Sequence, residues 1–286
     1  MHTIILDTDI GSDVDDALAL ATVLGSESVN LLGITTVYGD TKLRARIAHH
    51  LCHIANKSIP VFAGVKTPLS GRQVWSTGSE GKAFSNLNQY ALEDRKAVEF
   101  LVEAVNQNPG EIEVIAIGPL SNIATAIMQA PNFAKNVKHL WIMGGDFTKE
   151  KIEHNFKCDV DAAKIVLESE ISITILDLPS SQKTIIKKDE IEQIKSSGKL
   201  GPILHTEILN WIQPRHQEWT TPHDPIAVLA MLEPEFFDFS EIGSVQISED
   251  GKSDWRLNED GNVKRVSPSK PLEAVSAMIS LIAKVT

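Results

Sequence analysis

The first apolar run of the chain, Ile4-Ile5-Leu6, is short and rich in β-branched residues, which predicts a buried strand. Ten mostly polar residues follow, Asp7 to Asp16, and then a longer apolar stretch, Ala17 to Leu24, that predicts a helix. The alternation recurs. Further strands are predicted at Val29–Val37, Pro60–Gly64, Ile112–Ile117, Val137–Met143 and Ile171–Leu176, and helices at Thr41–Asn56, Glu93–Asn106, after Gly118-Pro119-Leu120-Ser121-Asn122 to about Ala130, and at Asp159–Glu168. This rhythm predicts an α/β fold with a mainly parallel central sheet and helices on both faces. After residue 185 it fades into late additions: helical stretches at Lys188–Ser196 and Ile203–Trp219, a helix at Ile226–Leu232, antiparallel strands within 243–267 turning at Asp250-Gly251 and Asp260-Gly261, and a last amphipathic helix, Pro271–Lys284. Residues 65–91 lack periodicity and read either as a functional loop or as a surface excursion. With no linker and no internal repeat, one domain over 1–286 is the simplest organisation.

In a parallel sheet the loops leaving the carboxyl ends of the strands converge, and ligands bind there. The predicted strand ends carry Gly39-Asp40, Gly118, Gly144-Gly145-Asp146, Asp177 and, above all, the first polar stretch. Asp7, Asp9, Asp13, Asp15 and Asp16 place five carboxylates within ten residues. Asp13 or Asp15 can cap the helix, and acids in a first turn suit its dipole. The remaining acids must either take up protons or hold a cation, and an all-oxygen cluster suits Ca²⁺ or Mg²⁺. An EF-hand does not fit. Counted from Asp7, Ser12 stands where that loop needs Gly and Leu18 where it needs Glu, and the cluster follows a strand. Distant residues must therefore complete any shell. Candidates are Asp40, Glu153, Asn155, His223 and Asp224. Each also has a plain structural reading: Asp40 or Thr41 as the cap of the helix from 41, Glu153 and Asn155 as surface loop residues, and His223-Asp224 as a turn before Pro225 with Asp224 as the helix cap.

The composition narrows the partners. A hydrophobic content of 42% in 286 residues supports a sizeable core. A net charge of −11 with no basic stretch argues against nucleic acid and against an anionic membrane surface. Cys52 and Cys158 form no CxxC pair, which disfavours a zinc or disulfide scaffold and makes a reducing, cytoplasmic setting the expectation. No apolar run has membrane-spanning length, and the first strand leaves no room for a signal peptide.

Six motifs in order then carry a resemblance: Asp7-Thr8-Asp9-Ile10-Gly11 with Asp15-Asp16-Ala17-Leu18-Ala19; Gly33-Ile34-Thr35-Thr36-Val37-Tyr38-Gly39; Gly118-Pro119-Leu120-Ser121-Asn122-Ile123-Ala124; Met143-Gly144-Gly145; Glu153-His154-Asn155; and His223-Asp224-Pro225. From residue 4 to about 230 the chain resembles the inosine-uridine-preferring nucleoside hydrolases. The resemblance implies a Ca²⁺-dependent N-ribohydrolase that splits ribonucleosides into base and ribose, in purine or pyrimidine salvage. It implies metal ligation by Asp9, Asp16, the carbonyl of Ile117 and Asp224, with the ribose hydroxyls and the attacking water completing the shell. Asp15 and Asn155 match residues that hold the sugar hydroxyls, Glu153 one at the 5′-hydroxyl end, and Met143 one lining the sugar pocket. His223 matches a histidine that in some members protonates the leaving base, and a metal-bound carboxylate such as Asp9 can accept the proton of the attacking water. Family members are dimers or tetramers, so a homodimer or homotetramer is expected.

The chemistry agrees. Breaking an N-glycosidic bond builds positive charge on the ribose ring, which surrounding carboxylates stabilise, and a metal ion makes water more acidic. There are departures. The first motif carries two extra residues and has Ile10 where the family has Pro. Asp40 stands beside the sugar where the family has Asn, and a carboxylate only accepts where an amide also donates. The stretch between Met143 and Glu153 is short, and Thr77 stands where a His-Gly pair is common. Two rival readings use the same residues: a haloacid-dehalogenase-like, Mg²⁺-dependent phosphatase with Asp7 and Asp9 as its DxD pair, and a non-catalytic ribose- or nucleoside-binding protein.

Overall fold

The computed structural model describes residues 1–75, 80–81 and 84–286. The elements are β1 (His2–Thr8), α1 (Asp15–Gly25), β2 (Val29–Thr36), α2 (Thr41–Ile54), β3 (Val61–Ala63), α3 (Ala97–Gln107), β4 (Ile112–Ala116), α4 (Ser121–Gln129), α5 (Phe133–Asn136), β5 (His139–Met143), α6 (His154–Cys158), α7 (Val160–Leu167), β6 (Ile173–Leu176), α8 (Leu178–Ser181), α9 (Lys188–Lys195), α10 (Gly201–Ile212), α11 (His223–Leu232), β7 (Phe237–Phe239), β8 (Gly243–Ile247), β9 (Ser253–Leu257), β10 (Val263–Pro268) and α12 (Pro271–Ala283).

One sheet runs β3-β2-β1-β4-β5-β6-β10-β8-β9, with β7 added on β10. From β3 to β6 every pairing is parallel, as is β6 with β10. The chain builds outward from β1 through β2 to β3, then crosses back to β4 on the other side of β1. The strand order therefore reverses at β1, and the crevice beyond the carboxyl ends of β1 and β4 is the place such sheets offer to ligands.

Alternation along β1 explains why it sits centrally. Ile4 and Leu6 face one apolar core with Leu18 and Ile226, whereas Ile5 faces the other with Phe62, Phe133 and Phe156. All three are fully buried, which contributes roughly 1.5–3 kcal/mol each relative to exposure. Helices α1, α11 and α12 pack together over the first core, and α3, α4 and α7 over the second.

Several local expectations are corrected. Neither Asp13 nor Asp15 caps α1: Val14 occupies that position without a side-chain cap, and Asp13 accepts from the Val14 amide. Asp224 is no cap either, because α11 begins one residue earlier, at His223. α3 starts at Ala97 rather than Glu93, and α10 stops at Ile212, giving way to a short 3-10 turn over Gln213–Arg215 that contains Pro214. The third late strand is no simple meander. β8 and β9 form the predicted hairpin, but β10 pairs with β6, β8 and β7 rather than with β9. It thereby seals the outer edge of the parallel sheet.

Candidate active site

A pocket of about 520 Å³ opens at the carboxyl end of the sheet. The turn after β1 supplies Asp9, Ser12 and Asp13, and the start of α1 supplies Asp15 and Asp16. Ile117 follows β4, Met143 ends β5, Glu153, His154 and Asn155 open α6, and His223 with Asp224 opens α11. All the expected ligand and sugar residues but one thus come together from five chain segments. The exception is Asp40, which is exposed and caps α2 by accepting from the Leu43 amide at 3.1 Å, outside the pocket lining. Thr77 lies outside the described residues.

Three buried acids, Asp15, Asp16 and Asp224, each present an oxygen, all within 4.8 Å of one another, a group that could hold a metal ion. The trio contains Asp15 where the resemblance implied Asp9. Asp9 lines the same pocket and its charge acts on all three. Burial first, and neighbouring carboxylates second, hold Asp15, Asp16 and Asp224 well above the usual carboxylate range. A cation among them removes that conflict, and an all-oxygen donor set of carboxylates suits a hard divalent ion. The residues therefore fit such an ion.

Backbone economy brings these groups close. At Gly118 a Cβ would lie 2.8 Å from Asp9 Oδ1 and 2.9 Å from its amide nitrogen, so a side chain there would force β4 and the acidic turn apart. Asp7, the first acid of the motif, looks away from the pocket chemistry. Its Oδ1 accepts from Thr35 Oγ1 at 2.5 Å and Asn122 Nδ2 at 2.7 Å, tying β2 and the first turn of α4 to β1. Burial pushes Asp7 up to about 7, against the pull of those two donors.

Asn155 Nδ2 donates to the carbonyls of Ile117 and Met143, at 3.1 Å each. Glu153 accepts from the amides of Gly145, Asn155 and Phe156, so it caps α6 while lining the pocket. Ser181 Oγ donates to the Leu178 carbonyl at 2.8 Å and therefore accepts from His223 Nδ1 at 2.7 Å. In the neutral ring this leaves Nε2 with a free lone pair. Burial lowers His223 to about 4, so the neutral ring prevails near pH 7.

Sequence reasoning missed much of the wall, Ile152, Leu178, Trp211 and Arg215, and gave no role to His154 of the Glu153-His154-Asn155 motif. Trp75 was visible only as part of an aperiodic loop; it packs on His154 with ring centroids 4.9 Å apart. Trp211, near the end of α10, and Arg215, in the 3-10 turn after it, stack with the guanidinium 3.3 Å from the indole centroid.

The family model described as "Inosine-uridine preferring nucleoside hydrolase" matches residues 4–271. The chain belongs to this family. The hydrolase thus acts on ribonucleoside N-glycosidic bonds, and neither the phosphatase nor the non-catalytic reading survives. It is 31% identical to the probable uridine nucleosidase 2 of Oryza sativa subsp. japonica, over 94% of this chain and 85% of the relative. It is 30% identical to a pyrimidine-specific ribonucleoside hydrolase of Escherichia coli, over 73% and 69%. A plant nucleoside hydrolase shares its fold at a TM-score of 0.88 with 24% identity, over 99% of each chain. No helix among the described residues is long and apolar enough to cross a membrane.

Proposed function

We propose that the hydrolase is Ca²⁺-dependent and cleaves pyrimidine ribonucleosides, uridine first. The observation that carries the metal is the buried trio Asp15, Asp16 and Asp224, three carboxylates with little else to offset their charge. Arg44 eases Asp16, but its own N–H groups are committed elsewhere. The uridine and pyrimidine names of the relatives at 30% identity and above support the substrate.

Asp9, Asp16, Asp224 and the Ile117 carbonyl would hold the ion, with Asp15 at its edge toward the sugar. When bound, Ca²⁺ supplies Lewis acidity toward oxygen and a template for a cis-diol. The rest falls to the protein's own side chains. Asp9 accepts a proton from the attacking water. The C1′–N bond breaks with its electron pair going to the base, a C1′–O bond forms, and positive charge passes through the ribose ring. Asp15 and Glu153 stabilise that charge. Asn155 spends its Nδ2 on two carbonyls, which leaves Oδ1 to accept from a sugar hydroxyl. Met143 packs against the sugar. His223 faces the leaving base; its Nε2, unprotonated in the resting ring, first takes a proton from solvent and then passes it to the departing base, while Asp9 afterwards returns the water's proton to solvent. We also take the enzyme to be a cytoplasmic homodimer or homotetramer serving base salvage, as the family resemblance implies.

The test is base release from uridine, cytidine, inosine and adenosine, with Ca²⁺ and with a chelator. Uridine cleaved fastest, and only with the metal, is the expected result. Undiminished turnover in chelator overturns the metal, and a purine as best substrate overturns the base preference.

A further inference from the structure

The acidic turn is wrapped around a guanidinium. Arg44, in the first turn of α2, is fully buried. Its five N–H groups are all committed. Nε donates to the Tyr38 carbonyl at 2.7 Å. One terminal nitrogen donates to the carbonyls of Asp9 and of Ile10, the latter at 2.9 Å. The other donates to Ser12 Oγ at 2.9 Å and to Glu80 Oε1 at 3.2 Å. Three of the five acceptors therefore belong to residues 9–12, the turn that carries Asp9 and is lengthened in this chain. Gly11, at φ +106°, lets the backbone double back so that Ser12 reaches the guanidinium. A Cβ there would lie 2.6 Å from Ile47 Cδ1, and positive φ strains any other residue.

We propose that Arg44 is the positioning residue of this enzyme: it fixes the backbone of the lengthened turn and so aims the Asp9 carboxylate into the pocket. The inference rests on the reading given under Proposed function. The geometry points to positioning rather than to a plain buried ion pair. A pair with Glu80 alone needs one N–H of the five, whereas the other four hold backbone carbonyls and a hydroxyl, three of them in the turn. A lysine cannot replace this planar fork, since its three donors radiate from one nitrogen.

The test is Arg44→Lys, with the fold checked by circular dichroism. Equilibrium dialysis of the metal-free protein against Ca²⁺ should show affinity weakened about tenfold or more, and kcat on uridine should fall by about 30-fold while KM moves less than about threefold. A merely structural role lowers the melting temperature but leaves Ca²⁺ affinity and kcat of the folded protein unchanged, and that result overturns the proposal. If Arg44→Lys does not fold, Ser12→Ala removes one acceptor and leaves the core intact. It should weaken Ca²⁺ binding about threefold, and wild-type affinity in that variant overturns the proposal equally. A wild-type protein that neither binds Ca²⁺ nor cleaves ribonucleosides defeats the underlying function instead. Normal wild-type behaviour with an unaffected Arg44→Lys defeats only the role of Arg44.

Discussion

The two ends of the sheet treat buried carboxylates in opposite ways. At the amino end, Glu113 of β4 accepts from Lys138 Nζ, Trp141 Nε1 and His2 Nδ1, all at 2.9 Å. Burial pushes this carboxyl up, but the three partners together outweigh it and bring it below its ordinary value. At the carboxyl end, Asp15, Asp16 and Asp224 are as buried, but face chiefly one another and Asp9, and burial and repulsion both raise them. One end carries its counter-charge within the fold. On the function proposed above, the other keeps its acids for a cation and a sugar from outside. A buried acid with its partners built in is a stability device, and a buried cluster without them is a binding device.

Substitutions at each end sharpen the contrast. Asp224→Asn should lower kcat/KM on uridine by about 10³-fold or more, while leaving the metal-free melting temperature unchanged or raised, because one of the repelling charges is gone. A large loss of metal-free stability would place Asp224 with Glu113 as a structural acid. Gly118→Ala should cost about 10- to 100-fold in kcat/KM, because its Cβ meets Asp9, and its circular dichroism should stay native. His223→Ala should slow uridine by about tenfold and p-nitrophenyl riboside much less, since nitrophenolate departs without help. Equal losses on both would make His223 a positioning group.

The smallest effect on activity is expected at Glu113→Gln: less than about twofold, but with about 1–2 kcal/mol of stability lost near neutral pH, read by urea unfolding. The sign with pH follows from the depressed value. The stabilising charge is fully present above the unfolded carboxyl's 4.5 and is lost as pH falls through the lower folded value, so wild type and variant should converge in acid. A gap that widens in acid would contradict the pairing.

Much of this was legible in the chain. The apolar runs of β1, β2, β4, β5 and β6 are short and continuous because both faces of a parallel sheet are covered, and the acids mark their carboxyl ends. What escaped was long-range. Nothing local distinguishes β10 from a third meander strand, since its parallel partner, Ile173–Leu176, lies ninety residues upstream in sequence. The wall formed by Trp211 and Arg215 follows from where α10 stops, which its apolar periodicity alone does not mark. Asp40 could be read as sugar contact or cap; the cap is what the fold displays, and it depends on where α2 begins. Arg44 is not legible locally, because a lone arginine in an amphipathic helix reads as surface and its burial depends on the turn at residues 9–12 closing over it.

Calorimetric titration of the metal-free enzyme with Ca²⁺ tests the central claim most directly. The account predicts one site per chain in the wild type and none in Asp224→Asn. No binding by the wild type, or equal binding by both proteins, would contradict it.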